Sequence, residues 1–150
     1  MAKMIRVWVD IDGTLNTLGA FGYPFNPVPA SELVRMFASR RGKVIAIPLT
    51  ARIGLEWTLL FQPSFQPLES GNVLHKTMGT RSSGNELAMA RGKILVMRRF
   101  DSSTSKHVII DNNPAFRQLP LTGSPPIIHI KPAAWNWPQT QRDIIKAIDG

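Results

Sequence analysis

Two carboxylates stand two residues apart, Asp10 and Asp12, directly after the apolar run Ile5 to Val9. A second acidic group, Asp111 with the amide Asn112, follows another apolar run, His107 to Ile110. Side chains alternate along an extended chain, so Asp10 and Asp12 share a side if the extended form continues. Carboxylates that close repel each other unless a cation lies between them or one of them holds a proton. Either solution, a bound cation or a carboxyl that holds a proton, points to chemistry. A calcium loop beginning D-x-D needs Gly at its sixth position and Glu at its twelfth. Counted from Asp10, those positions hold Leu15 and Phe21, which excludes it. A plain surface turn accounts for Asp12-Gly13 but not for two acidic strand ends.

The elements that must position these groups follow from the apolar pattern. Ile5 to Val9 is predicted as a short buried strand, with Gly13 allowing a sharp turn behind it. Asn16 to Pro29 is loop-like, broken by Gly19, Gly22, Pro24, Pro27 and Pro29. Ser31 is expected to cap a helix through Arg41, with Leu33, Val34, Phe37 and Ala38 on its apolar face and Gly42 as its stop. Lys43 to Leu49 reads as a second strand ending at Thr50, although Pro48 cannot donate to a sheet ladder. Further on, the pattern predicts a helix from Ile53 to Gln62 and a short strand from Val73 to His75. A helix opening at Asn85 is expected to break at Gly92, with a second helical segment from Lys93 to Phe100. Asp101 to Ser105 reads as a polar loop, His107 to Ile110 as a strand and Pro126 to Ile130 as the last strand. Trp135, Trp137 and Pro138 lead into a final helix with Ile144, Ile145 and Ile148 on one face.

Composition sets the outer limits. The 150 residues suit one domain, 1–150, with a hydrophobic fraction of 43% that can supply a core. No apolar run reaches membrane-spanning length, and the stretch before Asp10 is too short for a signal peptide. The chain has no Cys, which excludes disulfides, a Cys-based zinc site and thiol catalysis and fits a cytoplasmic location. His75, His107 and His129 share no ligand spacing and are assigned no metal. Eighteen Lys+Arg against ten Asp+Glu leave a net charge of +8, a field that attracts phosphates and nucleic acid.

A buried strand followed by Asp10-Ile11-Asp12-Gly13-Thr14-Leu15 resembles the first motif of the haloacid dehalogenase (HAD) superfamily, most of whose members are phosphatases. The resemblance extends in order. Thr50 after the second strand matches the hydroxyl that binds a phosphoryl oxygen. Lys93 matches the family's lysine, ahead of Lys76 and Lys106. Asp111-Asn112-Asn113-Pro114 is similar to the metal-binding fourth motif, and more narrowly to the D-N-S-P stretch of the FCP/SCP protein phosphatases. Those enzymes carry Glu where Gly13 stands.

The resemblance implies an α/β fold, a three-layer α/β/α sandwich around a mainly parallel, Rossmann-like sheet. It also implies a short flap at about residues 15–30 and no large cap. Ligands of such sheets sit at the carboxyl ends of the strands. The implied activity is Mg2+-dependent hydrolysis of a phosphomonoester. Asp10 is the nucleophile and forms an aspartyl-phosphate, Asp12 is the acid and base, and Thr50 and Lys93 hold the phosphoryl oxygens. Asp10, Asp12, Asp111 and Asn112 are the implied Mg2+ ligands. With Arg35, Arg40, Arg41, Lys43, Arg52, Arg98 and Arg99 near the sheet, and Phe21, Tyr23 and Phe25 in the flap, the expected partner is a phosphorylated nucleotide or nucleic-acid end rather than a sugar phosphate. The alternative is a catalytically inactive HAD-like basic module that binds nucleic acid or protein.

Overall fold

Strand β1 (Met4–Val9) lies in the middle of a parallel sheet, its Val7, Trp8 and Val9 buried on both faces and only Arg6, half-buried near its start, charged. The structure, a computed structural model, describes residues 3–10, 14, 28–49, 86–133 and 136–150. Over these residues β1 pairs with β2 (Val44–Pro48) and β3 (Thr104–Ile110), and β3 pairs with β4 (Ile127–Ile130). All pairings are parallel, in the order β2-β1-β3-β4. The register sets Val9 beside both Pro48 and Ile110, and Ile110 beside Ile130, so the four strands finish at one level.

Alternation divides the core in two. Val7, Val9, Ala46, Val108 and Ile110 pack with Leu33 and Phe37 of helix α1 (Ala30–Ala38) and with Ile144 and Ile148 of the C-terminal helix, Trp137–Asp149. Trp8, Ile47 and Ile109 pack instead with Val96 and Met97 of helix α2 (Glu86–Arg98) and with Phe116 of a 3-10 turn, Pro114–Gln118. The C-terminal helix is α3. The fold is mixed α/β, with a four-stranded parallel sheet and three helices among the described residues. None of those helices is long and apolar enough to cross a membrane.

Several elements differ from their sequence-based expectation. Helix α1 starts at Ala30 after Pro29, without a side-chain cap, and ends at Ala38 rather than Arg41. The Ser39 hydroxyl and the Arg40 guanidinium both donate to the Met36 carbonyl, at 2.7 and 2.9 Å, and so satisfy an orphan of the last turn. Gly42, at φ +89°, then turns the chain into β2. Met36, rather than Ala38, completes the buried stripe with Leu33 and Phe37.

Gly92 does not break its helix: α2 runs unbroken from Glu86 to Arg98. An interior glycine costs about 1 kcal/mol relative to alanine, less than burying Ala90, Val96 and Met97 returns. Strand β3 starts at Thr104, within the expected polar loop, after a 3-10 turn at Asp101–Ser103. Pro48 is accommodated as the last residue of β2, at the edge of the described sheet. The Leu49 N–H donates to the Val9 carbonyl at 2.9 Å, so by alternation the Pro48 nitrogen faces away from β1. The expected helix from Ile53 to Gln62, the strand from Val73 to His75 and most of the flap lie outside the described residues.

Candidate functional site

Parallel pairing of β1 with β3 brings two acidic strand ends together. Directly past the last paired residues, the Asp10 N–H donates to the Ile110 carbonyl at 2.9 Å, and the Asp111 N–H to the Ile130 carbonyl at 3.1 Å. Both carboxylates are buried, with 6% of Asp10 and none of Asp111 exposed. Charges so far from water need partners, and one is supplied from α2. Lys93 Nζ donates to Asp10 Oδ1 at 2.9 Å and to Asp111 Oδ2 at 2.5 Å, and is itself 2% exposed. Lys93 does not open a helix, as its sequence context suggested. It sits in the middle of α2, two turns past Glu86, and the preceding Gly92 is buried with it.

The remaining carboxylate oxygens are also engaged. The Thr14 hydroxyl donates to Asp10 Oδ2 at 3.2 Å and accepts from the Asn112 backbone N–H at 3.3 Å, tying the chain after β1 to the chain after β3. The Asn113 N–H donates to Asp111 Oδ1 at 2.9 Å. The Asn113 side chain accepts from the Ala115 N–H, capping the 3-10 turn, and donates to the Glu86 carbonyl at the start of α2. Behind Asp111, His129 Nε2 donates to the Asp111 carbonyl at 2.9 Å while its ring lies against Phe116. Burial pulls the His129 pKa down, so its ring is a neutral support.

Two carboxylates against one ammonium leave one negative charge in excess. Burial, and next the charge of Asp111, push the Asp10 carboxyl up to about 7 against the opposing pull of Lys93 and Thr14. For Lys93, burial acts to lower the pKa, but the two carboxylates outweigh it and hold the ammonium above its ordinary range. The cluster keeps its ammonium firmly and its Asp10 charge loosely, which is an environment that favours a further cation. Asn112 Oδ1 is buried with no hydrogen-bond partner among the described residues. No group of three or more His, Cys, Asp or Glu among the described residues could hold a metal ion.

Of the residues singled out from sequence, Asp10, Lys93 and Asp111 meet directly, and Asn112 joins them through Thr14. Asp12, Thr50 and Lys76 lie outside the described residues. Lys106 is elsewhere: it donates to the Ala147 and Gly150 carbonyls from near the start of β3. Thr14 is a site residue that the sequence reading misses, and the signal that marks it is its position in Asp10-Ile11-Asp12-Gly13-Thr14. Of the cations expected near the sheet, Arg52 lies outside the described residues and Arg35 is on α1. Arg40, Arg41 and Lys43 precede β2, and Arg98 and Arg99 close or follow α2 before β3, at the amino end of the sheet. Arg40 and Lys43 pair with Asp149, and Arg98 with Asp101. No protein-family model matches the chain, and no curated protein matches it.

Proposed function

We propose that the chain is a Mg2+-dependent phosphomonoester hydrolase of the HAD type, built as a three-layer α/β/α sandwich and acting through an aspartyl-phosphate. The observation that carries this reading is the buried Asp10–Lys93–Asp111 cluster at the carboxyl ends of adjacent parallel strands, where such sheets bind ligands. The strand order, with β1 between β2 and β3, supports the same reading, since it sets the ends of both neighbouring strands beside the end of β1, from which Asp10 follows.

In this reading one Asp10 oxygen attacks phosphorus while Asp12 gives its proton to the leaving oxygen. Asp12 then takes a proton from the water that attacks the phosphoryl group, releasing inorganic phosphate and restoring Asp10. Thr50 donates to a phosphoryl oxygen, and Lys93 offers its remaining proton while holding Asp10 and Asp111 in place. Hard oxygen donors suit Mg2+: the carboxylates of Asp10 and Asp111, the unpartnered Asn112 Oδ1, and Asp12 as the resemblance implies. Mg2+ held there would supply the missing positive charge and draw in the phosphate. The favoured substrate is a phosphorylated nucleotide or nucleic-acid end, on the net charge of +8 and the flap aromatics Phe21, Tyr23 and Phe25. The cations at the amino end of the sheet act in this reading by long-range attraction, not by contact.

The test is hydrolysis of an aryl phosphate and a panel of phosphomonoesters with Mg2+, on wild type and Asp10→Asn. Turnover abolished by the substitution is expected. Folded wild-type protein without turnover on any phosphomonoester overturns the proposal in favour of a binding module.

A further inference from the structure

An open groove of about 690 Å3 is lined by the edge strand β4 and by α3, and reaches Lys106 near the start of β3. Backbone groups alternate in direction along a strand. The His107 N–H donates to the Pro126 carbonyl at 2.9 Å and the Asp111 N–H to the Ile130 carbonyl at 3.1 Å, so the even-numbered carbonyls of β4 face β3. The odd-numbered residues therefore turn their backbone groups outward. The Ile127 N–H is satisfied by the Leu121 carbonyl at 3.1 Å. The His129 N–H and carbonyl have no partner among the described residues, and His129 lines the groove. An edge of this kind is a template for another strand.

The side chains around it state which strand. Arg117 and Lys146 are exposed and Lys131 half-buried, and none of the three side chains makes a hydrogen bond or ion pair among the described residues. Lys106 is occupied by backbone carbonyls. The one acidic side chain among the described residues of the lining, Asp143, already accepts from Gln139 Nε2 at 2.9 Å. Ile128, Leu121 and Ala147 supply an apolar floor. We propose that this groove binds an extended acidic peptide segment of a partner protein, which adds as a strand to β4 at His129 and sets its carboxylates against Arg117, Lys131 and Lys146. A nucleic-acid strand would meet the same cations but leave the His129 backbone groups unpaired. Among the described residues it would also find no free ring to stack on, because the only aromatic side chain they give the lining, His129, already lies against Phe116.

The probe is a fluorescent peptide of alternating Glu and Val, measured by anisotropy with the intact chain, alongside its N-methylated counterpart and a single-stranded oligonucleotide of equal charge. Binding of the peptide is expected, weakened at least about tenfold by N-methylation and about fivefold by each of Arg117→Glu, Lys131→Glu and Lys146→Glu. Amide chemical-shift changes are expected at residues 127–131, and thermal melting is used to show that each variant is folded. Absence of binding, equal binding of the N-methylated peptide, or tighter binding of the oligonucleotide with displacement of the peptide would each overturn the proposal.

Discussion

Lys93 and Asp10, far apart in the chain, meet at 2.9 Å with both side chains almost wholly buried. Removing one member of a buried ion pair leaves the other charge without water or partner, so it destabilises far more than the net worth of the pair. Lys93→Met leaves both Asp10 and Asp111 uncompensated and is expected to cost about 3–5 kcal/mol in urea unfolding at neutral pH. Adding Asp10→Asn to that variant should recover part of the loss, because one of the stranded charges is gone. Equal stability of wild type and Lys93→Met would show that the ammonium is not between these carboxylates in solution.

Asp12→Asn tests the acid and base role separately. Phosphate binding should survive, with turnover slowed by roughly two to four orders of magnitude, the usual scale for a lost proton-transfer group. Single-turnover kinetics on an aryl phosphate would read this directly. A variant as active as wild type would leave Asp12 a structural residue.

Thr14 links two loops through one hydroxyl, and Thr14→Val deletes the donor to Asp10 and the acceptor for the Asn112 N–H at once. The expected cost is about 1–3 kcal/mol by chemical denaturation, while Thr14→Ser should recover most of it. If Val and Ser variants unfold alike, the hydroxyl bonds contribute nothing and the methyl packing is what matters.

His107 sets an acid limit on stability. The Trp8 indole N–H donates to His107 Nδ1 at 3.0 Å, so the ring must be neutral, with Nε2 donating to Asp101 Oδ1 at 2.8 Å. Burial lowers its pKa, Asp101 opposes this, and the charges of Arg98 and Arg6 add to the lowering. An unfolded histidine binds its proton near about 6.5, so below that pH the unfolded chain holds more protons than the folded one. This contribution to stability is complete above about pH 6.5 and is lost as pH falls through the lowered folded value. Protonation of Asp10, whose carboxyl is pushed up to about 7, acts in the opposite direction over this range, so the prediction is a difference: between about pH 7.5 and about pH 5.5 the urea midpoint of wild type should drop relative to that of His107→Phe. Parallel pH profiles for the two proteins would remove His107 as the cause.

What the sequence by itself determined is the set of strand ends. Ile5 to Val9, interrupted only by Arg6, and Val108 to Ile110 are apolar runs of strand length, and each meets an acid at its carboxyl end, so Asp10 and Asp111 could be named before any geometry. Lys93 was legible as a candidate, but its place was not. Gly92 reads as a helix breaker because local propensity disfavours it by about 1 kcal/mol, whereas packing of α2 against Trp8 and Phe116 decides the matter. The end of α1 was misread for a related reason: its stop depends on Ser39 and Arg40 bonding back to Met36, a competition among nearby polar groups that periodicity does not register. Strand order and register belong to the tertiary structure alone. They bring Asp10, Thr14, Lys93 and Asp111 together and send Arg40, Lys43 and Arg98 to the other end of the sheet, because which charges meet is set by pairing between distant segments rather than by distance along the chain.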